Sequence, residues 1–379
     1  MIMIVCICGK MGEIHMKKIF IITGITFIAI IIGIFFINVY DADKKDTEKT
    51  TRVGLILNGT VSDRNWSQSH YEGLKKTATQ LNIEIVYQEK ASADNIEEKI
   101  DSLVEDGCEI IIANSFEFGD AVQAAAEKYP EVYFYHATGV GVGKNMSSYF
   151  GRMYQIRYLC GIVAGLQTET NEIGYVAAFP ISEVNRGINA FALGVRSVNP
   201  EATVYVSWTN SWTDDESAAL ATEQLLDKYN IDIISMHTDS LKPLALAEER
   251  NVMAIGYNID NSEHYPNTFL TAAVWDWEKF YTPNILQCIQ GKFDGNHYWE
   301  GIETGIVSIA PFSDKVKDGV AKVVEKEIER MSSGTFDVFY GPLVDNEGNI
   351  RVSEGESLTD NAMLNEFDWY VEGVVIDEE

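Results

Sequence analysis

The sequence predicts an α/β protein of two lobes, each built on a parallel sheet, behind an apolar N-terminal segment. Three observations carry this expectation. From residue 52 onward, short apolar runs alternate with longer amphipathic stretches, the pattern of strands covered by helices. The alternation restarts near residue 154, so two units of similar size follow one another. The chain has 379 residues, 46% apolar and 23% charged, which is too long for one ordinary domain and enough for two.

In the first unit the apolar run 53–57 (VGLIL) predicts a buried strand and 66–81 a helix. Strand 83–87, helix 93–106, strand 110–113, helix 118–129 and strand 132–136 follow. In the second unit 154–168 predicts a helix, 172–177 a strand, and 182–198 a helix that runs up to Pro200. Strand 204–208, helix 216–229, strand 231–236, helix 242–250 and strand 252–257 continue the series, with a further strand at 270–274.

Residues 19–37 (IFIITGITFIAIIIGIFFI) are almost wholly apolar, long enough for a membrane-crossing helix, which takes ~20 residues. Lys17 and Lys18 precede the run, so residues 1–18 are expected in the cytoplasm and everything after Tyr40 outside. Residues 19–40 read as a signal anchor or a signal peptide. The anchor is favoured, because no small-x-small cleavage site follows Phe36. Translation starts at Met1 or at Met16, which opens a conventional MKK start. Residues 41–51 (DADKKDTEKTT) read as a polar tether, leaving 52–379 as the folded part.

Acids outnumber bases, 57 to 29, for a formal charge of −28, which argues against nucleic acid and against a charge-driven hold on anionic lipid. Of five cysteines, Cys6 and Cys8 precede the apolar run. Cys108, Cys160 and Cys288 are isolated in apolar or helical patterns and read as buried thiols. No zinc-binding spacing occurs, and no metal or cofactor is expected.

In open α/β sheets, ligands sit outside the carboxyl ends of the strands. Here those ends carry aromatic residues and carboxylates: NGTVSDRNWSQS from Asn58, NSFEF from Asn114, FPISE from Phe179, NSWTD from Asn210, HTDS from His237, YNID from Tyr257 and WDW from Trp275. Aromatic faces stack on flat rings, and carboxylates accept from ring N–H groups. Trp66, Phe116, Phe179, Trp212 and Trp275 are candidates for the faces of such a site. Asp63, Asn114, Asp239, Asp260 and Asp276 are candidates for its polar edge. Asp63, Ser182 and Asp214 also suit helix N-caps. Catalytic signatures are missing: no GxSxG, no P-loop, and TGVGVGKN, which holds Gly139, Gly141 and Gly143, breaks the dinucleotide spacing and reads as a flexible loop.

The residues resemble the basic membrane protein family of bacterial ABC-transporter substrate-binding proteins, also called the purine-nucleoside receptor type. The resemblance spans about 52–375 and rests on VSDRNWSQSHYEG, YFGRMYQIRYLCGIVAG, IGYVAAFPISEVNRGINAFALGVRSVNP, MHTDS and YGPLVDNEGNIR. It implies a type I periplasmic-binding fold, two Rossmann-like lobes joined by a three-strand hinge that close on a ligand. On that reading lobe 1 takes about 52–168 plus a segment near 270–300, and lobe 2 about 169–265 plus a C-terminal segment. It implies no catalysis, monomeric action, and delivery of a purine to an ABC permease and its ATPase.

The first loop departs from the family's nucleoside-binding pattern DxSFN: Trp66 stands for Phe and Ser67 for Asn. Ala178, Phe179 and Pro180 replace a Gly-Gly-Met stretch, and Trp275 and Asp276 replace a Lys-Asn pair. The bulk suggests a smaller ligand, and the AFPISEV stretch (with Glu183) and HTDS look like a sub-branch for free purine bases such as adenine. Trp66 with Trp212 or Phe179 would stack on the base; Asp239, Asn114 and Ser115 would read its edge, with Tyr257 nearby. A nucleoside receptor of the same fold, or a membrane-tethered purine sensor, are the alternatives. A nucleoside-processing enzyme lacks a readable general acid or phosphate cradle.

Overall fold

A computed structural model describes residues 50–377 of the protein. The expectations for the cytoplasmic N-terminus, the apolar segment, nearly all of the tether and the first two cysteines lie outside the described residues. Thr51–Glu379 form one compact unit. Among the described residues no helix is long and apolar enough to cross a membrane.

The first half runs β1 (Arg52–Ile56), α1 (Trp66–Leu81), β2 (Glu84–Gln88), α2 (Ile96–Glu105), β3 (Ile110–Ala113), a 3-10 turn (Phe116–Phe118), α3 (Gly119–Lys128), β4 (Tyr133–Ala137) and β5 (Met146–Gly151). It continues through α4 (Met153–Gln167), β6 (Glu172–Ala177), α5 (Ser182–Val198), β7 (Thr203–Trp208), α6 (Asp215–Lys228), β8 (Ile233–His237), α7 (Lys242–Arg250) and β9 (Met253–Asn258). Then come β10 (Phe269–Trp275), α8 (Glu278–Ile289), β11 (His297–Glu300), β12 (Val307–Ile309) and α9 (Val320–Ser332). The chain ends with β13 (Leu343–Val344), β14 (Ile350–Val352), α10 (Asp360–Asn365) and β15 (Val374–Ile376).

Two sheets result. The first has the order β11-β5-β4-β3-β1-β2, all parallel. The second has the order β12-β10-β9-β8-β6-β7-β15, parallel except where β12 meets β10. Every residue of β3 (IIIA) is buried, which explains its unbroken apolar run: a sheet covered on both faces needs no polar alternation. The chain passes between the sheets three times, after β5, after β10 and after β11. This is the two-lobed fold with a triple crossing that the family resemblance implies.

The lobe limits differ from those expected. The helix at 153–167 packs on α5 of the second lobe, and β10 lies inside the second sheet, so the late segment of the first lobe is α8 and β11. The reason for the helix is local. A Cβ on Gly161 would lie 2.0 Å from the Phe191 carbonyl oxygen, and one on Gly194 2.0 Å from that of Tyr158, so these glycines allow the two backbones to touch. Several further elements escape sequence patterning, β5 and α8 among them. Strand β5 (MSSYFG) carries two central serines, satisfied inside the fold by Asn296 and His297. Helix α8 contains Pro283, an ordinary helix breaker. Cys108, Cys160 and Cys288 are buried free thiols, as expected.

Candidate functional site

The loop between β1 and α1 is held by its own polar groups. The Asp63 carboxylate accepts from the backbone N–H of Asn65 (2.8 Å), Ser67 (3.0 Å) and Gln68 (3.0 Å), so it fastens the start of α1. Burial pushes its carboxyl above the ordinary range, and those three donors oppose the shift. Ser67 Oγ donates to Asn58 Oδ1 and accepts from Gly59 N–H, while Asn58 N–H donates to Asn114 Oδ1. The ends of β1 and β3 are thus tied together. Trp66 Nε1 donates to the Asn114 carbonyl at 2.8 Å, and its ring is met edge-on by His70, Trp275 and Trp277.

From the second lobe, Asp239 follows β8. Its backbone N–H donates to the Trp212 carbonyl at 2.7 Å, which fixes the loop after β7 against the loop after β8. Asn258, at the end of β9, donates to Asp239 Oδ1 (2.9 Å) and to Asn65 Oδ1 (2.6 Å), and accepts from Trp275 Nε1 (3.0 Å). Asn65 Nδ2 donates to the Asp239 carbonyl at 2.6 Å. Two asparagines therefore join the lobes at the carboxyl ends of their sheets.

Beside this junction lies a cavity of about 360 Å³. Of the residues singled out in the sequence, Trp66, Asn114, Ser115, Phe116, Glu183, Trp212, Asp239 and Tyr257 line it. Six do not. Asp63 and Ser67 hold the loop beneath it. Phe179 stands against Trp212, ring centroids 5.9 Å apart. Asp260, Trp275 and Asp276 line a separate hollow of about 280 Å³ that also touches Lys76 and Trp277. The Asp260 carboxylate there accepts from Ser262 N–H, and Trp275 stacks on Trp277 at 4.4 Å.

Other lining residues were not expected in the site, Ser182 and Gly139 reading only as a helix cap and as part of a loop: Asn58, Thr138, Gly139, Val140, Phe150, Ile181, Ser182, Arg186, His297, Leu364 and Asn365. Gly139 belongs to the stretch read as a flexible loop. A Cβ there would lie 2.1 Å from His136 Nδ1, so the loop is seated tightly on that histidine and glycine is required. Arg186 had a usable signal: it lies one helical turn after Glu183 on α5, the same face of the helix.

Charge inside the cavity is poorly compensated. Burial raises Asp239 well above the usual carboxylate range, and the nearby Asp63 charge adds to the effect; the Asn258 donor opposes it. Burial also raises Glu183, against the pull of Arg186 and Arg157. Arg186 is buried, lies 4.9 Å over the Trp299 ring and donates to the Met363 carbonyl. His237, 3.8 Å from Glu183, is held neutral by burial and by Arg157 and Arg186. Phe116 is 70% exposed at this cavity although it is a large apolar ring. Aromatic surface from both lobes, two carboxylates and one guanidinium suit a flat solute bearing N–H donors and acceptor atoms.

The family described as ABC transporter substrate-binding protein, PnrA-like, matches residues 50–336. A purine-binding protein of Brucella abortus is 34% identical over 86% of this chain and 93% of its own length. A Haloferax volcanii protein named for glucose binding in an ABC transporter is also 34% identical, over 86% of this chain and 81% of its own. The crystal structure of a transcriptional activator of the comK gene from Bacillus halodurans superposes with a TM-score of 0.67 at 25% identity, covering 75% of this chain and 99% of that one. Two parallel-sheet lobes meeting at a cleft, and a family match across most of the folded part, lead to one conclusion: the chain belongs to the PnrA-like family of ABC transporter substrate-binding proteins.

Proposed function

We propose that the cleft binds a purine, the free base adenine in first place, and delivers it to a permease. Proteins of this family bind a small solute outside the cytoplasm and hand it to a membrane permease. The observation that carries the narrower reading is the lining of the cavity, where Phe116 and Trp212 supply aromatic surface while Asp239 and Glu183 supply carboxylates. A purine presents two fused flat rings with N–H donors at the edge, which matches both. The relative named for purine binding adds support.

The carboxylate–guanidinium lining also suits a hydroxyl-rich solute, and the relative named for glucose keeps a monosaccharide as the second reading. A nucleoside receptor of the same fold differs only in the size of its ligand. No bond is broken on any of these readings: the solute stabilises the closed lobes, and the closed form docks on the permease. The apolar run at 19–37 would tether the receptor beside it. A sensor would share the anchor and the pocket and differ in its partner.

The test is a thermal-shift panel on the full chain in mild detergent, with adenine, guanine, hypoxanthine, their nucleosides, glucose and amino acids. A solute that binds only the folded protein stabilises it by ~2.7 kcal/mol at a hundredfold excess over its Kd. Stabilisation by bases and not by nucleosides is the expected result. A response to nucleosides keeps the purine class and removes the free-base choice; a response to glucose alone removes the purine.

A further inference from the structure

The family match ends at residue 336, yet the cavity has a wall beyond it. Leu364 and Asn365, both on α10, line the cleft with residues of the two lobes. The segment that carries α10 is strapped to α5. Asn185 donates to the Phe367 carbonyl (2.9 Å) and accepts from the Tyr370 hydroxyl (2.9 Å). Asn189 donates to the Trp369 carbonyl (2.7 Å) and accepts from Val371 N–H (2.9 Å). Arg186, itself a cavity residue, donates to the Met363 carbonyl.

The other side of α10 is held from the first crossing. Both terminal nitrogens of Arg152 donate to the Asp360 carboxylate at 2.7 Å, a two-point pairing that fixes orientation as well as distance. Arg152 N–H donates to the Glu300 carbonyl and its Nε to the Trp299 carbonyl, both in β11 of the first lobe. Helix α10 thus spans from the second lobe to the edge strand of the first, beside His297, which also lines the cavity. Its seat depends on both lobes.

We propose that α10 is the wall that sets the size of solute the cleft accepts, with Leu364 and Asn365 as its contact residues and the Arg152–Asp360 pair as the clasp that seats it. This rests on the reading of the cleft as a solute site and not on which solute fills it. Asp360 and Arg152 are positioning residues, since they act through the wall.

The experiment uses the full chain in mild detergent and two pairs of small and large solutes, adenine with adenosine and glucose with maltose. Titration calorimetry compares the wild type, Asp360→Asn, and the double variant Leu364→Ala with Asn365→Ala. The double variant is expected to shift the affinity ratio toward the larger member of the pair that binds, by about tenfold, the scale of one small group in an apolar pocket. Asp360→Asn is expected to move the ratio the same way. Hydrogen exchange supplies a reading without ligand: amides 360–366 exchange slowly in the wild type and faster in Asp360→Asn, while β3 stays unchanged. Binding of the sugar pair alone removes the purine reading and leaves the wall to be judged on that pair. An unchanged ratio in variants that still bind overturns the proposal, as does exchange at 360–366 that is equally fast with and without Asp360.

Discussion

Asp239 carries one side-chain amide on its carboxylate, that of Asn258, and little else. Burial and the charge of Asp63 raise its pKa, so the folded protein holds its proton more tightly than the unfolded chain does. The stability linked to this group is therefore present below the ordinary carboxylate value and lost as pH rises through the raised one. Asp239→Asn is expected to unfold at a higher temperature than the wild type at neutral pH. The gap should shrink toward about pH 4, where the unfolded carboxyl titrates. Melting curves from acid to neutral pH check this; a gap independent of pH would show that Asp239 is not destabilised by its charge. The same variant should bind solute more weakly by ~1.5–3 kcal/mol, the worth of a hydrogen bond to a charged group. Phe116 separates binding from stability. It is 70% exposed, so Phe116→Ala should barely change the melting point. It should weaken a planar solute by ~0.5–1.5 kcal/mol beyond the lost contact area. Calorimetry that finds equal affinity would remove Phe116 from the site. Trp66 is a poorer probe, because it is 8% exposed and hydrogen-bonded to Asn114, and Trp66→Ala would cost ~3–5 kcal/mol of stability.

Among elements, the α4–α5 pair decides where the second lobe begins. Gly161 and Gly194 leave no room for a methyl group, and the obstacle is backbone, which does not swing aside. Gly161→Ala is expected to lower stability by ~1–3 kcal/mol, the usual cost of overpacking, read as a fall in the urea midpoint at unchanged slope. A neutral result would mean that the helices separate easily and that the lobe boundary is softer than its geometry. The C-terminal strap adds a second element-scale device. Asn185 and Asn189 lie one turn apart on α5 and present side-chain amides that satisfy backbone groups of residues 367–371.

At the scale of the whole molecule, Asn65, Asn258 and the Asp239 backbone tie the lobes beside the cavity, together with the bond that Asn261 donates to the Arg64 carbonyl. A solute shifts the balance of open and closed forms only by binding one better than the other, so this junction sets how much of that shift is already present. Asn65→Ala removes its side-chain bonds with Asn258 and with the Thr238 and Asp239 carbonyls. It is expected to speed hydrogen exchange in the loops at 58–66 and 237–241 together in the ligand-free protein. Faster exchange in one loop alone would mean that the lobes are held elsewhere.

The apolar runs and their spacing were enough to read the alternation of strands and helices, because most residues of a strand covered on both faces are apolar. The strand ends that carry the cavity were legible for the same reason: the fold class says where ligands sit, and Asn114, Phe116, Trp212 and Asp239 stand there. Strand β5 and helix α8 were not legible, since buried serines and an internal proline imitate loops until their partners are known. Which strand-end residues turn inward was a tertiary matter. Trp275 and Asp276 sit beside a second hollow because β10 joins the second sheet, while Leu364 and Asn365 reach the cleft from far along the chain. Periodicity reports the face a residue shares with its near neighbours. The contact between a helix near the C-terminus and an arginine two hundred residues earlier exists only once both lobes have folded and met.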